Sequence, residues 1–128
     1  MILRLYQKLF KIAEQHLTVN SCKIIYLPSG EPQKLRIFII DGTILDVWLA
    51  QSGKYSYHWD RRNIQKGIYR FDNAPHKKWK KIKSYPHHLH FKSEEKVIES
   101  NISKKFDEAL MEVLNFIQDI LAKESEAK

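Results

Sequence analysis

The chain predicts an α+β fold: a central antiparallel β-sheet of about five to six strands in a meander, flanked by an N-terminal and a C-terminal helix on one face. Three observations predict it. Apolar residues recur at helical spacing near both ends of the 128-residue chain. The stretch between them breaks into short β-rich runs bounded by turn residues. The connections between those runs are of hairpin length, which favours antiparallel neighbours over crossovers.

Taken in order, residues 3–16 carry Leu5, Leu9, Ile12 and Ala13 on one side and Lys8, Lys11 and Glu14 on another, as an amphipathic helix does. Residues 22–27 read as a strand, closed by Pro28-Ser29-Gly30-Glu31-Pro32. Cys22, the sole cysteine, cannot form an internal disulfide and has no adjacent base that would make it a nucleophile, so it reads as a packed strand residue. Residues 34–40 and 44–50 pair around Asp41-Gly42, a dipeptide suited to a tight hairpin. After Ser52-Gly53, Tyr55, Tyr57 and Trp59 share one face of a fourth strand, and Ser56, His58 and Asp60 share the other. A fifth strand over 67–72 sets Tyr69 and Phe71 against Ile68, Arg70 and Asp72. Strands thus occupy residues 22–72. Residues 73–86, with two prolines and a run of lysines around Trp79, form a basic surface loop. Residues 87–91 make a short strand and 97–100 a further extended piece. Asn101 or Ser103 caps the final helix, over 103–122, where Phe106, Ala109, Leu110, Val113, Leu114, Ile117 and Leu121 form an apolar stripe. With both helices on one side, the polar faces bearing His58, Arg70 and Asp72 are expected on the open side. No repeat or linker divides residues 1–128, so a single domain is expected.

Composition narrows the function classes. At 43% hydrophobic and 29% charged, the chain is that of an ordinary globular protein. Its longest apolar runs, such as Ile37-Phe38-Ile39-Ile40, fall far short of the roughly 20 residues that span a bilayer, and no signal peptide is visible, so no membrane role and a cytoplasmic location are expected. Charge is strongly local. From residue 61 to 92 there are ten Lys/Arg against one acid, Asp72, an excess of nine in a chain whose net charge is +7, which leaves −2 for everything else. Five of the six histidines, all but His16, lie between Tyr55 and Phe91. A basic excess beside histidines and aromatics points to a polyanion site.

Those residues support more than one chemistry. His88 and His90 of His87-His88-Leu89-His90 point to one side of a strand, as two metal ligands must, and His76, His58 or Asp72 can complete a zinc or manganese site; no Cys-x-x-Cys or His-Glu-x-x-His frame accompanies them, and a structural role for these histidines stays open. The same groups suit metal-independent RNA cleavage, which needs a base for the 2′-hydroxyl, an acid for the leaving oxygen and cations for the charge on phosphorus. Here His76, His88 and His90 are the candidates for proton transfer and Asp72 for orienting a histidine, with His58 and Tyr57 as second choices. Arg70 is the candidate phosphate clamp. Lys77, Lys78, Lys80, Lys81 and Lys83 supply charge, and Trp79 among them can stack a base or anchor the loop. This chemistry needs no metal and no cofactor. A non-catalytic module binding nucleic acid or an acidic partner through the lysine segment is the rival.

The motifs also carry a family likeness. Tyr55-Ser56-Tyr57-His58-Trp59, then Tyr69-Arg70-Phe71-Asp72-Asn73-Ala74-Pro75-His76, then Ser84-Tyr85-Pro86-His87-His88-Leu89-His90 resemble the TumE-like toxins of prokaryotic toxin-antitoxin pairs. In that family an aromatic-Arg-aromatic-Asp-Asn-Ala-Pro-His block precedes a Pro-His-His-x-His block. The lysine-heavy residues 77–83 between the blocks depart from the pattern. The resemblance implies a small cytoplasmic growth-inhibiting toxin held by a cognate antitoxin, and ribonuclease action, common among such toxins, makes RNA the expected target. A homodimer is left open.

Overall fold

The computed structural model describes residues 2–127. Helix α1 (Ile2–Glu14) leads into seven strands, β1 (Val19–Tyr26), β2 (Pro32–Ile39), β3 (Ile44–Leu49), β4 (Tyr55–Asp60), β5 (Ile68–Asp72), β6 (His88–Lys92) and β7 (Val97–Glu99), and α2 (Phe106–Glu126) closes the chain. Short 3-10 turns lie at Arg62–Ile64 and Lys77–Trp79. The strands form one sheet in chain order, every neighbour antiparallel. The α+β meander is therefore as expected, but with seven strands rather than five to six. The difference is β7, whose short run pairs with β6 from His88↔Glu99 to His90↔Val97 across an acidic, hydrophilic turn that masks the hairpin in the sequence.

Strand alternation decides which side becomes core. Leu35, Ile37, Ile39, Leu45, Val47, Leu49, Tyr55, Tyr57, Trp59, Tyr69, Phe71 and Leu89 all point to one face and are buried there with Tyr6, Leu9 and Ala13 of α1 and Ala109, Leu110, Val113, Leu114 and Ile117 of α2. Both helices thus cover the same face. Polar atoms carried into this layer find partners: Tyr6 Oη accepts from the Leu49 N–H at 2.9 Å, and Trp59 Nε1 donates to Thr43 Oγ1 at 2.7 Å. Aromatic rings supply much of the volume, with Trp59 stacked on Tyr69 at 5.2 Å and Phe71 edge-on to Phe116 at 5.3 Å.

Helix α2 starts at Phe106, three residues after the expected 103, because Ser103 Oγ accepts from the Lys105 N–H at 3.1 Å and holds a turn there instead of capping a helix. Its far end is tied to the sheet by Arg61. That guanidinium is 1% exposed, lies 4.3 Å over the Trp59 ring and donates to Glu124 at 2.8 Å and Asp41 at 3.0 Å. At the start of β5, Gly67 takes φ 73°, and a Cβ there would collide with the Lys92 carbonyl oxygen. Only glycine lets β5 and β6 come together at that point.

Candidate functional site

The uncovered face of β4, β5 and β6 holds the polar half of the alternation. Two rows run across it in register. One is Asp46↔His58↔Arg70↔His90, and the other is Trp48↔Ser56↔Asp72↔His88. Adjacent strands lie about 4.8 Å apart, so side chains two rows and two strands wide fall within direct contact. Trp48, Ser56, Asp72 and His88 of one row and Arg70 and His90 of the other line a cleft of about 520 Å³, together with His76, Lys78 and Trp79 of the loop after β5.

Asp72 is the hub. It is 7% exposed, and each oxygen is occupied. Oδ1 accepts from the Ala74 N–H at 3.0 Å and lies 3.1 Å from His88 Nε2, while Oδ2 accepts from Arg70 Nε at 2.9 Å. Burial alone would raise its pKa, but the hydrogen bonds from His88, Ala74 and Arg70 outweigh that and hold it at about 2.

The two histidines beside it are held in opposite states by their partners. His88 faces an acceptor at each nitrogen: Nδ1 donates to the Pro86 carbonyl at 2.7 Å and Nε2 meets the Asp72 carboxylate. Both nitrogens must carry a proton to satisfy both contacts, so the ring is an imidazolium. Burial opposes its charge, yet the Asp72 and Pro86 contacts prevail and its pKa is raised. His90 faces an acceptor at one nitrogen and a donor at the other. Its Nδ1–H donates to the Glu94 carbonyl at 3.0 Å, and Arg70 Nη2, which can only donate, approaches Nε2 at 3.1 Å. Nε2 is therefore a lone pair on a neutral ring. Burial first, then the Arg70 charge, lower its pKa. The rings are 4.9 Å apart.

Arg70 spans the group. Besides Asp72 and His90 it grips Glu94 through Nη1 and Nη2 at 2.8 and 2.9 Å, and the Glu94 side chain is 55% exposed on the turn between β6 and β7. Hydrogen bonding from Arg70 lowers the Glu94 pKa. Among the described residues, Asp72, His88 and His90 also form a possible cation-binding set, their donor atoms within 4.8 Å of one another. Both imidazoles tether Nδ1–H to a backbone carbonyl and turn Nε2 inward, an arrangement common to metal ligands and to acid-base groups. The Arg70 guanidinium beside them already supplies positive charge.

Of the expected site residues, Arg70, Asp72, His76, Lys78, Trp79, His88 and His90 line the cleft. His76 is exposed, its Nδ1 accepting from the Lys78 N–H at 3.4 Å. Lys77, Lys80, Lys81 and Lys83 are exposed on the same loop without lining the cleft. His58 shares the face, next to Arg70, but lies outside the cleft with Nε2 buried and unpartnered. Burial, and then Arg70, lower its pKa. Tyr57 is the correction: alternation turns it into the core, where it is fully buried, donates to the Phe106 carbonyl at 3.4 Å and has its pKa raised by burial, so it cannot touch a molecule in the cleft. The local charge excess also shrinks, because Arg61 and Lys66 are held by Glu124, Arg62 by Asp60, and Arg70 by Asp72 and Glu94.

Trp48, Tyr55, Ser56, Ala74 and Glu94 also line the cleft and are not among the expected site residues. Glu94 had no visible signal, since acids in a turn are ordinary. Trp48 did: an indole in the outward phase of β3, between core residues Val47 and Leu49, is out of pattern.

No helix of the described residues is long and apolar enough to cross a membrane. No curated protein and no solved structure matches the chain. The family profile described as Toxin TumE matches residues 9–121, which takes in every strand and every residue of the cleft. The chain belongs to the TumE toxin family.

Proposed function

We propose that the protein is the toxin of a toxin-antitoxin pair and acts in the cytoplasm as a metal-independent endoribonuclease, restrained by a cognate antitoxin. The observation that carries this reading is the split between His88, with an acceptor at each nitrogen, and His90, with the Arg70 donor at Nε2, their rings 4.9 Å apart over one carboxylate. Neighbouring titratable groups driven apart in pKa make an acid and a base at the same pH.

The roles follow. The Nε2 lone pair of His90 takes the proton of a ribose 2′-hydroxyl, and that oxygen attacks phosphorus. The bond from phosphorus to the 5′ oxygen breaks, and His88 turns its Nε2–H away from the Asp72 carboxylate and delivers that proton to the departing oxygen. The products are a 2′,3′-cyclic phosphate and a free 5′-hydroxyl. Asp72 keeps His88 charged and oriented. Arg70, once the phosphate displaces Glu94, offers two parallel N–H groups to the non-bridging oxygens as their charge grows. His76 at the cleft edge and Lys78 bind flanking phosphates, and the exposed Lys77, Lys80, Lys81 and Lys83 draw the polyanion in.

The test is incubation of purified protein with single-stranded RNA in excess chelator. Cleavage that leaves cyclic phosphate ends, with a 2′-deoxy strand uncut, is the expected result. Salt-dependent binding without turnover would favour the rival, a nucleic-acid or acidic-partner binding module. The set formed by Asp72, His88 and His90 supports a second reading, a metal-dependent nuclease using the histidine cluster. In that case chelator abolishes cleavage and zinc or manganese restores it, whereas in the first reading a divalent ion must compete with Arg70 and changes little.

A further inference from the structure

Trp48 stands on the outward phase of β3, which it shares with Ile44 and Asp46. Leu45, Val47 and Leu49 enter the core, while Ile44, Asp46 and Trp48 face the open side, and of these Trp48 lines the cleft and remains 42% exposed. In register it opposes Ser56, which opposes Asp72, which opposes His88. Ser56 is the low point of that row, so a gap floored by a small side chain separates the indole from the carboxylate. Trp79 also lines the cleft, edge-on to His90 with centroids 6.0 Å apart and Lys78 Nζ 4.9 Å over its ring. Two indoles thus border one cleft, with Arg70, Lys78 and the His88 imidazolium beside them.

We infer that Trp48 and Trp79 are the two stacking walls of a single-strand subsite, each taking an unpaired base next to the phosphate held at Arg70. This rests on the reading of the cleft as an RNA site and deepens it: the cleft selects unpaired nucleotides. Aromatic faces beside cations are what single-stranded nucleic acid uses, because every base offers a π-face and every linkage a charge. A duplex keeps its bases stacked inside and offers neither indole a face.

A short 2′-deoxy oligonucleotide tests this without cleavage, set against an abasic strand of equal length and a duplex. Trp59 is buried and hydrogen-bonded to Thr43, so it gives a constant background. In Trp79→Phe the ligand-sensitive fluorescence comes from Trp48, and in Trp48→Phe it comes from Trp79. The base-bearing strand is expected to quench both variants and to bind the parent protein about tenfold or more tightly than the abasic strand. Trp48→Ala should lose about tenfold for the base-bearing strand and little for the abasic one, and the duplex should not quench. Equal binding of base-bearing and abasic strands, or no quenching in Trp79→Phe, overturns the proposal; an acidic protein partner or a simple polyanion patch gives that pattern. Base-dependent quenching in a protein that cleaves no RNA would sink the catalytic reading alone. Cleavage of RNA unchanged in Trp48→Ala, with abasic binding equal, would sink the stacking walls alone.

Discussion

The two faces of β4, β5 and β6 are built from alternate residues of the same strands and obey different rules. On the covered face Tyr57, Trp59, Tyr69, Phe71 and Leu89 are held by shape, their rings packed against α1 and α2 and their few polar atoms given one fixed partner each. On the open face Arg70, Asp72, His88 and His90 are held by charge and hydrogen bonds, several to one atom. A packed face loses energy when anything is exchanged. A charged face can exchange one partner for another of the same sign, as a phosphate for the Glu94 carboxylate. The contrast also explains how two histidines on one strand come to differ. Burial lowers both; His88, 3.1 Å from Asp72 Oδ1, is pulled back up, whereas His90, 3.6 Å from Asp72 Oδ2 with the Arg70 guanidinium nearer at 3.1 Å, is not.

The sharpest break of the comparison is on the open face. His88→Ala and His90→Ala should each lower kcat for RNA cleavage by about 10²- to 10⁴-fold, read by single-turnover kinetics, while circular dichroism stays native. On the covered face Leu114→Ala should do the opposite, costing about 2–5 kcal/mol in denaturant unfolding and leaving cleavage per folded molecule unchanged.

The pH dependence separates the histidines further. A base that must be neutral and an acid that must be charged give a bell. Its acid limb belongs to His90, below the ordinary 6.5, and its alkaline limb to His88, above 6.5, so kcat/KM should be flat around pH 6.5. Stability follows a related rule. The raised His88 pKa adds stability that is complete below about 6.5 and fades as pH climbs through its folded value. The lowered Asp72 pKa adds stability present above 3.8 and lost as pH falls through about 2. Thermal melts should therefore slope downward above pH 6.5 in the parent protein and lose that slope in His88→Ala.

Two smaller effects sharpen the picture. Replacing Lys77, Lys80, Lys81 and Lys83 with glutamine should weaken RNA binding by about tenfold at low salt and flatten its salt dependence, with kcat unaltered. Glu94→Gln removes a half-exposed carboxylate from Arg70 and should lower KM a few-fold, since such exposed ion pairs contribute only about 1 kcal/mol or less.

Much of this was legible in the sequence because the signals were local and periodic. Tyr55/Tyr57/Trp59 against Ser56/His58/Asp60 announced both a strand and its sidedness, and His88-x-His90 announced two rings on one side. Other features depend on contacts that sequence does not carry. Residues 97–99 show as extended, but their pairing with β6 depends on a hairpin whose turn is merely acidic. The basic excess over 61–92 counted Arg61 as open charge, while Glu124, 63 residues away, takes it into the interior. The protonation states of His88 and His90 hang on the Pro86 and Glu94 carbonyls and on Arg70 Nη2, single atoms whose positions no spacing rule gives.

Because the strands run in chain order, the cleft is assembled from three successive neighbours, and its chemistry is a readout of their alignment. A slip of β6 against β5 by one residue would carry Leu89 to the Asp72 carboxylate and turn both imidazoles toward Phe116, exchanging the working surface for a greasy one in a single step. Gly67 under the Lys92 carbonyl and the cross-strand contacts of Asp72 with His88 Nε2 and of Arg70 with His90 Nε2 act as stops against that slide. The hydrogen bonds that set the charge of each histidine thus also keep the ladder from jumping a rung.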